Sequence, residues 1–271
     1  MDTSIRFNQL LIMPDLKSEL NAESWHRVVF EAMGTVISVL GKSESRWAAA
    51  ADEAKAVFQT YDDCFSLYKP GSEINRINQN EISIAQSSPI FRNAFEEAYR
   101  WREITRGAFT PHRPDGTLDL NGVVKALAIA ETSKRLKDLG LLNFCINAGG
   151  DVLYSGVDHN SNAWVTSITD PCNKGQSIAN FQLFGSKKAV ATSGNAERGN
   201  HIWSRFGEKQ TLTQVTVVAE DIITADVLAT AIIAAPISQI DELLDLFTLD
   251  TLMIDTTGEL LITENLRSNL L

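Results

Sequence analysis

The sequence predicts an α+β fold, with antiparallel sheets flanked by helices. Helical periodicities are concentrated between residues 45 and 140, whereas short β-like runs are concentrated after residue 143. Grouping of helices with helices and strands with strands is typical of α+β folds, since parallel α/β folds alternate the two. No Pro/Ser/Gly-rich linker or block of charge divides the sequence. We therefore predict one folding unit, either one large domain or two intimately packed halves.

The first predicted elements are a strand and three helices. Residues 25–40 are rich in Val, Ile and Phe, which predicts one long or broken strand, interrupted at Met33-Gly34-Thr35. Residues 45–65 carry apolar side chains at helical spacing after serines that could cap a helix. The same spacing predicts helices over residues 88–107 and 121–140, each ending at a glycine.

The second part of the chain predicts mainly strands. A short helix is expected after Thr224, which we predict to be its N-cap, and another over residues 238–247. Residues 252–263 predict a terminal hairpin around Thr257-Gly258. The other β-like runs are residues 143–148, 151–156, 163–169, 179–184 and 214–219.

Composition and charge exclude several classes of function. The chain has 271 residues, 44% of them apolar, and a formal net charge of −10. Such a surface repels phosphate backbones and anionic lipids, so we expect no nucleic-acid partner. The three cysteines are odd in number and widely spaced, which fits neither a disulfide framework nor a zinc site.

The N-terminal residues contain no recognisable targeting segment. Residues 1–15 hold a single four-residue apolar run, and no apolar run elsewhere approaches the roughly 20 residues that span a bilayer. As the chain is written this predicts a cytoplasmic protein without a membrane span, or a periplasmic one if a signal segment has been removed. We predict a single domain over residues 25–265, preceded by an N-terminal arm over residues 1–24.

Four glycine-containing segments are candidate ligand-binding turns where strands are expected to end. Glycine allows close approach of the backbone to a ligand and turns N–H groups outward, as in phosphate-binding loops. Taken singly, each is more simply explained as a tight turn that closes a hairpin. The four contain Gly34, Gly122, Gly149 and Gly194.

Asp226 and Thr230 lie four residues apart and therefore share one face of the predicted helix. With a backbone carbonyl they would offer oxygen ligands to Mg²⁺, which usually keeps several waters. The alternative is that Asp226 only complements the helix dipole in the first turn, while Thr230 bonds back to the helix backbone.

Short motifs follow one another in a specific order along the chain. They are Ala32-Met33-Gly34-Thr35, Phe65-Ser66-Leu67-Tyr68 with residues 72–78, Gly107-Ala108-Phe109, residues 119–125, residues 147–151, residues 191–194, His201-Ile202 and residues 225–230. This order, over residues 27–261, resembles the ApbE family of FAD:protein FMN transferases, first described as thiamine-biosynthesis lipoproteins. Each motif is weak by itself, whereas the ordered series is specific.

The resemblance implies a fold, a reaction and a set of site residues. The fold is T-fold-like, with the ligand cleft between its halves. The reaction cleaves FAD at the pyrophosphate with Mg²⁺, moves FMN to a Ser or Thr in a Ser/Thr-Gly-Ala type segment of an acceptor protein, and releases AMP. Magnesium is implied at Asp226, Thr230 and the carbonyl of Gly122. The implied FAD contacts are Met33, Tyr68, Ala108, Phe109, Thr110, Asp119, Lys125 and Ile202.

His201 is the candidate general base for the acceptor hydroxyl, because it is the histidine that falls in a family motif. It could equally be a hydrogen-bonded strand residue. Lys125 would reach a phosphate or ribose from the first turn of its helix, although helical lysines are more often solvated.

The sequence departs from the family pattern around the predicted flavin and acceptor sides. Thr110 replaces an Asp, Ala126 replaces a Gly, and residues 201–207 lack the usual Asp-Pro. The stretch between Phe109 and Asp119 is also much shorter than in most members. The alternative function is therefore an FAD-binding protein, or a Mg²⁺-dependent FAD pyrophosphatase, of the same fold without flavinylation activity. A scaffold that binds protein partners through its acidic surface has no motif in its favour.

Overall fold

The computed structural model describes residues 24–43, 45–173, 175–194, 211–247 and 249–271. Ten strands are present within these ranges. They are β1 (Trp25–Ala32), β2 (Thr35–Lys42), β3 (Phe144–Ala148), β4 (Asp151–Ser155), β5 (Val165–Thr169), β6 (Ser177–Gln182), β7 (Ala189–Gly194), β8 (Leu212–Ala219), β9 (Asp250–Asp255) and β10 (Leu260–Ile262).

Helices connect and cover these strands. Those of the described ranges are α1 (Trp47–Phe65), α2 (Glu73–Asn78), α3 (Pro89–Ile104), α4 (Asn121–Asp138), α5 (Ile222–Ala234), α6 (Ile237–Phe247) and α7 (Glu264–Arg267), with a 3₁₀ turn at Ile84–Gln86. None of the described helices is long and apolar enough to cross a membrane.

One antiparallel sheet joins both parts of the chain. Its strand order is β1-β2-β3-β4-β7-β8-β9-β10, and β5 and β6 form a separate two-stranded sheet. At the junction of β4 with β7, only Val152 with Val190 and Leu153 with Ala189 are in register as partners. The large sheet therefore has two halves, β1–β4 and β7–β10, that share a short central seam.

The two faces of the large sheet have different covers. Helices α1, α4 and α5 pack on one face, where α5 lies between α4 and strands β7 and β8. Helix α5 is apolar on nearly all sides and is buried along most of its length, as expected for a helix between two layers. The opposite face packs against the β5–β6 sheet and α7 through Trp164, Phe181 and Leu266.

The structure confirms the α+β class and the antiparallel arrangement. The predicted interruption of residues 25–40 is a hairpin turn between β1 and β2. Two glycine segments were wrongly predicted as turns after strands, because Gly122 lies in the first turn of α4 and Gly194 ends strand β7. Thr224 is not the N-cap of its helix. Asp221 has that position, and its carboxylate accepts the Thr224 N–H at 2.9 Å.

The earlier start of α5 changes the interpretation of Asp226. The helix begins at Ile222, so Asp226 lies beyond the first turn, where the helix dipole favours acids most. It is also 5% exposed. A simple dipole-compensating role therefore does not account for this carboxylate. The predicted arm over residues 1–24 falls almost wholly outside the described residues.

Candidate functional site

A cavity of about 770 Å³ lies where the first hairpin, the loop after α1, the start of α4, strand β7 and helix α5 meet. Its volume is in the range of sites for drug-sized ligands and cofactors. Every predicted site residue within the described ranges lines it: Met33, Tyr68, Ala108, Phe109, Thr110, Asp119, Gly122, Lys125, Asp226 and Thr230. The other two predicted site residues, His201 and Ile202, lie outside the described residues.

The β1–β2 turn forms one wall of the cavity. Met33 and Gly34 have φ values of 53° and 70°, the left-handed conformations of a tight hairpin turn. Asp62 of α1 accepts the Met33 N–H at 3.1 Å. Gly149 lies behind this wall, and a Cβ there would be 2.3 Å from Thr35 Oγ1. Three of the four candidate glycines, Gly34, Gly122 and Gly194, line the cavity, while Gly149 supports the turn from behind.

The loop between α1 and α2 forms the adjoining wall. The side-chain amide of Asn75 donates to the carbonyls of Ser66, Leu67 and Lys69, at 3.4, 3.1 and 2.8 Å. This single side chain thus fixes the loop backbone. Tyr68 lies on that loop with 91% of its surface exposed, so its ring is available to a ligand at the rim of the cavity.

The short segment between Phe109 and Asp119 closes on itself as a small hairpin. His112 and Leu118 form a β-bridge, and the Asp119 N–H donates to the carbonyl of Pro111 at 2.8 Å. The side-chain amide of Asn78 holds the backbone of Leu118 through two hydrogen bonds. Its oxygen accepts the Leu118 N–H at 2.9 Å, and its nitrogen donates to the Leu118 carbonyl at 3.0 Å. This hairpin brings Arg113, Pro114 and Asp115 into the cavity wall.

Asp119 joins this hairpin to the start of α4. One carboxylate oxygen accepts a hydrogen bond from Nε of Arg113 at 2.8 Å and lies 2.7 Å from a terminal nitrogen of the same guanidinium. The other accepts the Asn121 N–H at 2.9 Å. The Asp119 side chain is 4% exposed, whereas that of Arg113 is 38% exposed. The buried acid therefore orients a guanidinium at the cavity wall, although sequence reasoning had not singled out Arg113.

Lys125 is held by a carboxylate from the β3–β4 turn. Its Nζ pairs with Asp151, whose side chain is 1% exposed. The other oxygen of Asp151 accepts the Thr192 N–H of β7 at 3.1 Å. The alternative of a solvated helical lysine is therefore excluded, since the Lys125 side chain is 14% exposed and lies in the cavity wall. The sequence analysis places Asp151 at the end of a glycine motif but does not predict its pairing with Lys125. An acid directly after Gly149-Gly150 is the feature of the sequence that could have indicated this role.

The predicted magnesium ligands lie on facing elements. Asp226 and Thr230 belong to α5 and Gly122 to the first turn of α4, and the two helices pack together. Ser193 of β7 adds a hydroxyl 3.1 Å from that of Thr230. A Cβ on Gly122 would be 2.8 Å from the buried Phe109 ring, so glycine is required for this packing.

This donor set fits Mg²⁺ in its chemistry. One carboxylate, hydroxyls and a backbone carbonyl are hard oxygen ligands, and magnesium sites commonly combine one or two carboxylates with waters and substrate phosphates. In the part of the chain that the structure describes, no three His, Cys, Asp or Glu side chains cluster as a complete metal cage. A cation here would therefore depend on ligands from a bound substrate.

Charge in the cavity wall is predominantly negative. Among the described residues, Asp62, Asp115, Asp119 and Asp226 face two cations, Arg113 and Lys125. Hydrogen bonds from Thr117 hold the pKa of Asp115 below its usual range. An anionic ligand would benefit from an added metal cation, because the cations of the wall are already paired with carboxylates.

Comparison with known proteins identifies proteins similar to this chain in sequence and fold. Residues 33–113 and 110–253 match the model of the ApbE family. The FAD:protein FMN transferase of Haemophilus influenzae is 20% identical in an alignment that covers 74% of this chain and 78% of that protein.

Solved structures with similar folds cover nearly the whole chain. The flavin transferase ApbE from Vibrio cholerae superposes with a TM-score of 0.76 at 19% identity, over 91% of this chain and 99% of that one. The ApbE protein from Thermotoga maritima gives 0.78 at 20% identity, over 90% and 99%. The apo flavinyl transferase ApbE from Pseudomonas stutzeri gives 0.73 at 16% identity, over 93% and 99%.

Proposed function

The chain belongs to the ApbE family and is a transferase, and we propose that it splits FAD at the pyrophosphate, transfers FMN to a Ser or Thr of an acceptor protein and releases AMP. One observation carries this proposal. The ten described residues that sequence reasoning assigned to FAD or magnesium all line one cavity, although they are spread from Met33 to Thr230. The names of two similar proteins, FAD:protein FMN transferase and flavin transferase, support the same activity.

The cavity offers separate surfaces for the two chemical parts of FAD. Met33, Leu67 and Tyr68 supply a polarizable thioether, an aliphatic side chain and an exposed aromatic face, which suit a flat isoalloxazine ring. Arg113 and Lys125 supply positive charge toward the start of α4, which suits phosphate oxygens. We assign the flavin ring to the first surface and the pyrophosphate to the second.

Asp226, Thr230 and the Gly122 carbonyl would hold Mg²⁺, and Ser193 lies beside them. When bound, the cation would neutralise negative charge on the pyrophosphate oxygens. The protein's own contribution is positional. Asp119 orients Arg113, and Asp151 orients Lys125. Both positively charged side chains are therefore in place before the substrate binds.

The proposed transfer exchanges one phosphorus–oxygen bond for another. The acceptor hydroxyl oxygen bonds to the FMN phosphorus, and the bond from that phosphorus to the bridging oxygen breaks. AMP leaves with the bridging oxygen and its electron pair. We assign the acceptor's proton to His201, on the sequence motif alone, since this histidine lies outside the described residues.

The proposal is tested with FAD, Mg²⁺ and a peptide that contains a Thr-Gly-Ala segment. We expect covalently bound, fluorescent flavin on the peptide after denaturing electrophoresis, and none with EDTA. A matched peptide with Val in place of Thr has no hydroxyl and should remain unlabelled. Labelling of both peptides would contradict transfer to the hydroxyl, and AMP release without any labelling would favour an FAD pyrophosphatase.

A further inference from the structure

We propose that Asp62 is a positioning residue for the flavin ring, because its carboxylate ties together the two loops that border one end of the cavity. The inference rests on the proposed function, since it concerns the same site. Asp62 lies outside the motifs that carry the family resemblance, yet it lines the cavity with 16% of its side chain exposed.

The first loop is held through a backbone hydrogen bond. Oδ1 of Asp62 accepts the N–H of Met33 at 3.1 Å, across 29 residues of sequence. Met33 has a φ of 53°, a conformation that residues other than glycine rarely adopt. Such a conformation persists where the surrounding structure holds it, and an ionised acceptor makes a stronger hydrogen bond than a neutral one. Asp62 therefore fixes the turn that carries Met33.

The second loop is held through an ion pair. Oδ2 of Asp62 pairs with Nζ of Lys69, the residue that directly follows Tyr68. Lys69 also bonds to Asp63 at 2.7 Å, and its carbonyl accepts the Asn75 amide. Since Tyr68 is 91% exposed, packing of its ring against the protein contributes little to its position. The position of Tyr68 then depends on the loop backbone, which Asp62 and Asn75 anchor from two sides.

The charge of Asp62 argues against direct contact with the substrate phosphates. A carboxylate beside a pyrophosphate would be repelled, whereas this one is balanced by Lys69. Hydrogen bonds to Asp62 and Asp63 raise the pKa of Lys69, as expected for an ammonium held between two carboxylates. Asp62 thus sets the spacing between Met33 and Tyr68, the residues between which we place the ring.

The test compares Asp62→Ala with Asp63→Ala. Asp63 is the matched control, because it bonds to the same lysine but is not hydrogen-bonded to Met33. FAD affinity and the quenching of flavin fluorescence at saturating FAD are measured on the full chain. We expect Asp62→Ala to raise the dissociation constant about tenfold and to reduce quenching at saturation. Asp63→Ala should stay within about twofold of the parent in affinity, with unchanged quenching.

Asp62→Asn separates the two contacts. Its amide oxygen can still accept the Met33 N–H, whereas the ion pair with Lys69 is lost, so we expect an effect between those of the parent and Asp62→Ala. Fluorescence quenching at saturation distinguishes positioning from general destabilisation, because the latter lowers the folded fraction without altering how the ring is seated.

Each outcome decides the inference. Parental affinity and quenching in Asp62→Ala would overturn it and leave the proposed function standing, whereas a parent chain that binds no FAD would overturn both. If Asp62→Ala does not fold, Lys69→Met replaces it, since this variant keeps the Met33 contact and releases only the Tyr68 loop. Weaker FAD binding with reduced quenching would then support the inference, and unchanged values would contradict it.

Discussion

At the scale of single residues, Asp226 is the side chain on which the proposed metal site depends most. It is the carboxylate of the proposed ligand set and is 5% exposed. Replacing it by Asn removes the ligand charge, so we expect Mg²⁺-dependent AMP release from FAD to fall by at least about tenfold at limiting Mg²⁺. Thr230→Ser keeps a hydroxyl ligand and should therefore lower Mg²⁺-dependent AMP release only slightly. Equal activity in Asp226→Asn and the parent, or activity indifferent to EDTA, would refute the metal assignment.

His201 gives a second prediction at this scale. If it accepts the acceptor's proton, His201→Asn should lower flavin transfer by roughly 10²- to 10⁴-fold while FAD remains bound. The comparison uses transfer to the Thr-Gly-Ala peptide over a range of pH, with FAD affinity measured separately. Transfer at the parental rate throughout would show that another group, or none, activates the hydroxyl.

The residues that sequence reasoning found and missed differ in how they act. Those found, such as Tyr68 and Asp226, belong to contiguous motifs. The roles of Asp62 and of Asp151, which ends the motif of residues 147–151, were missed because both act through partners distant in sequence, Met33 and Thr192. No local periodicity encodes such a contact. Arg113 was missed because the shortening of its segment was seen only as a loss, whereas folding turns that segment into a hairpin at the cavity wall.

At the scale of elements, Glu73 joins the first three helices. Its carboxylate accepts the N–H and hydroxyl of Ser88, the N-cap of α3, both at 2.6 Å, and the thiol of Cys64 in α1 at 3.2 Å. Burial raises the pKa of Glu73, but these hydrogen bonds outweigh that effect and hold it below its ordinary value of 4.5. The ionised carboxylate therefore stabilises the corner at which α1, α2 and α3 meet.

Glu73→Gln tests this corner. A carboxyl group whose pKa is lowered by folding stabilises the protein fully above its unfolded pKa, and this stabilisation is lost as pH falls through the folded value. We expect the variant to lose about 1 kcal/mol in free energy of unfolding near pH 7 and to approach the parent at acidic pH. Urea denaturation at several pH values measures this, with the exposed Glu81→Gln as control. A loss independent of pH would contradict the electrostatic explanation.

The long helices and most of the short strands were predicted from the sequence, whereas helix α2 and strand β7 were not. The helical spacing in residues 121–140 corresponds to α4. Over a helix of this length the apolar period repeats often enough to be recognised despite single residues that depart from it. Helix α2 has six residues and offers too few positions to show a period. Strand β7 was predicted as a turn because its last residues, Ser193 and Gly194, are small and typical of turns, whereas pairing with β8 keeps them extended.

At the scale of the whole molecule, Asp151 links the two halves of the sheet. It pairs with Lys125 of α4 and accepts the N–H of Thr192 in β7, beside the short seam between β4 and β7. Sequence analysis could not predict this seam, since the chain forms the β5–β6 sheet before it returns to the large one. The order of strands follows from tertiary packing rather than from any local pattern.

Asp151→Ala should therefore destabilise the protein more than a surface substitution. It removes a buried carboxylate from beside Lys125 and an acceptor from Thr192, and we expect a loss of about 2–4 kcal/mol in free energy of unfolding. The double variant Asp151→Ala with Lys125→Met should lose less free energy of unfolding than the sum of the losses in the two single variants. Removing one partner leaves the other charge buried and unpaired, whereas removing both leaves no such charge. Strict additivity in urea denaturation would contradict the role of this pair.

The central claim is that one cavity splits FAD and passes its FMN to a protein hydroxyl. Its most direct test is the ratio of AMP released to flavin covalently bound, measured by chromatography and mass spectrometry in one reaction with FAD, Mg²⁺ and the Thr-Gly-Ala peptide. Transfer predicts equal amounts of AMP and flavinylated peptide, with both lost in Asp226→Asn. AMP accompanied only by free FMN, or no AMP at all, would contradict it.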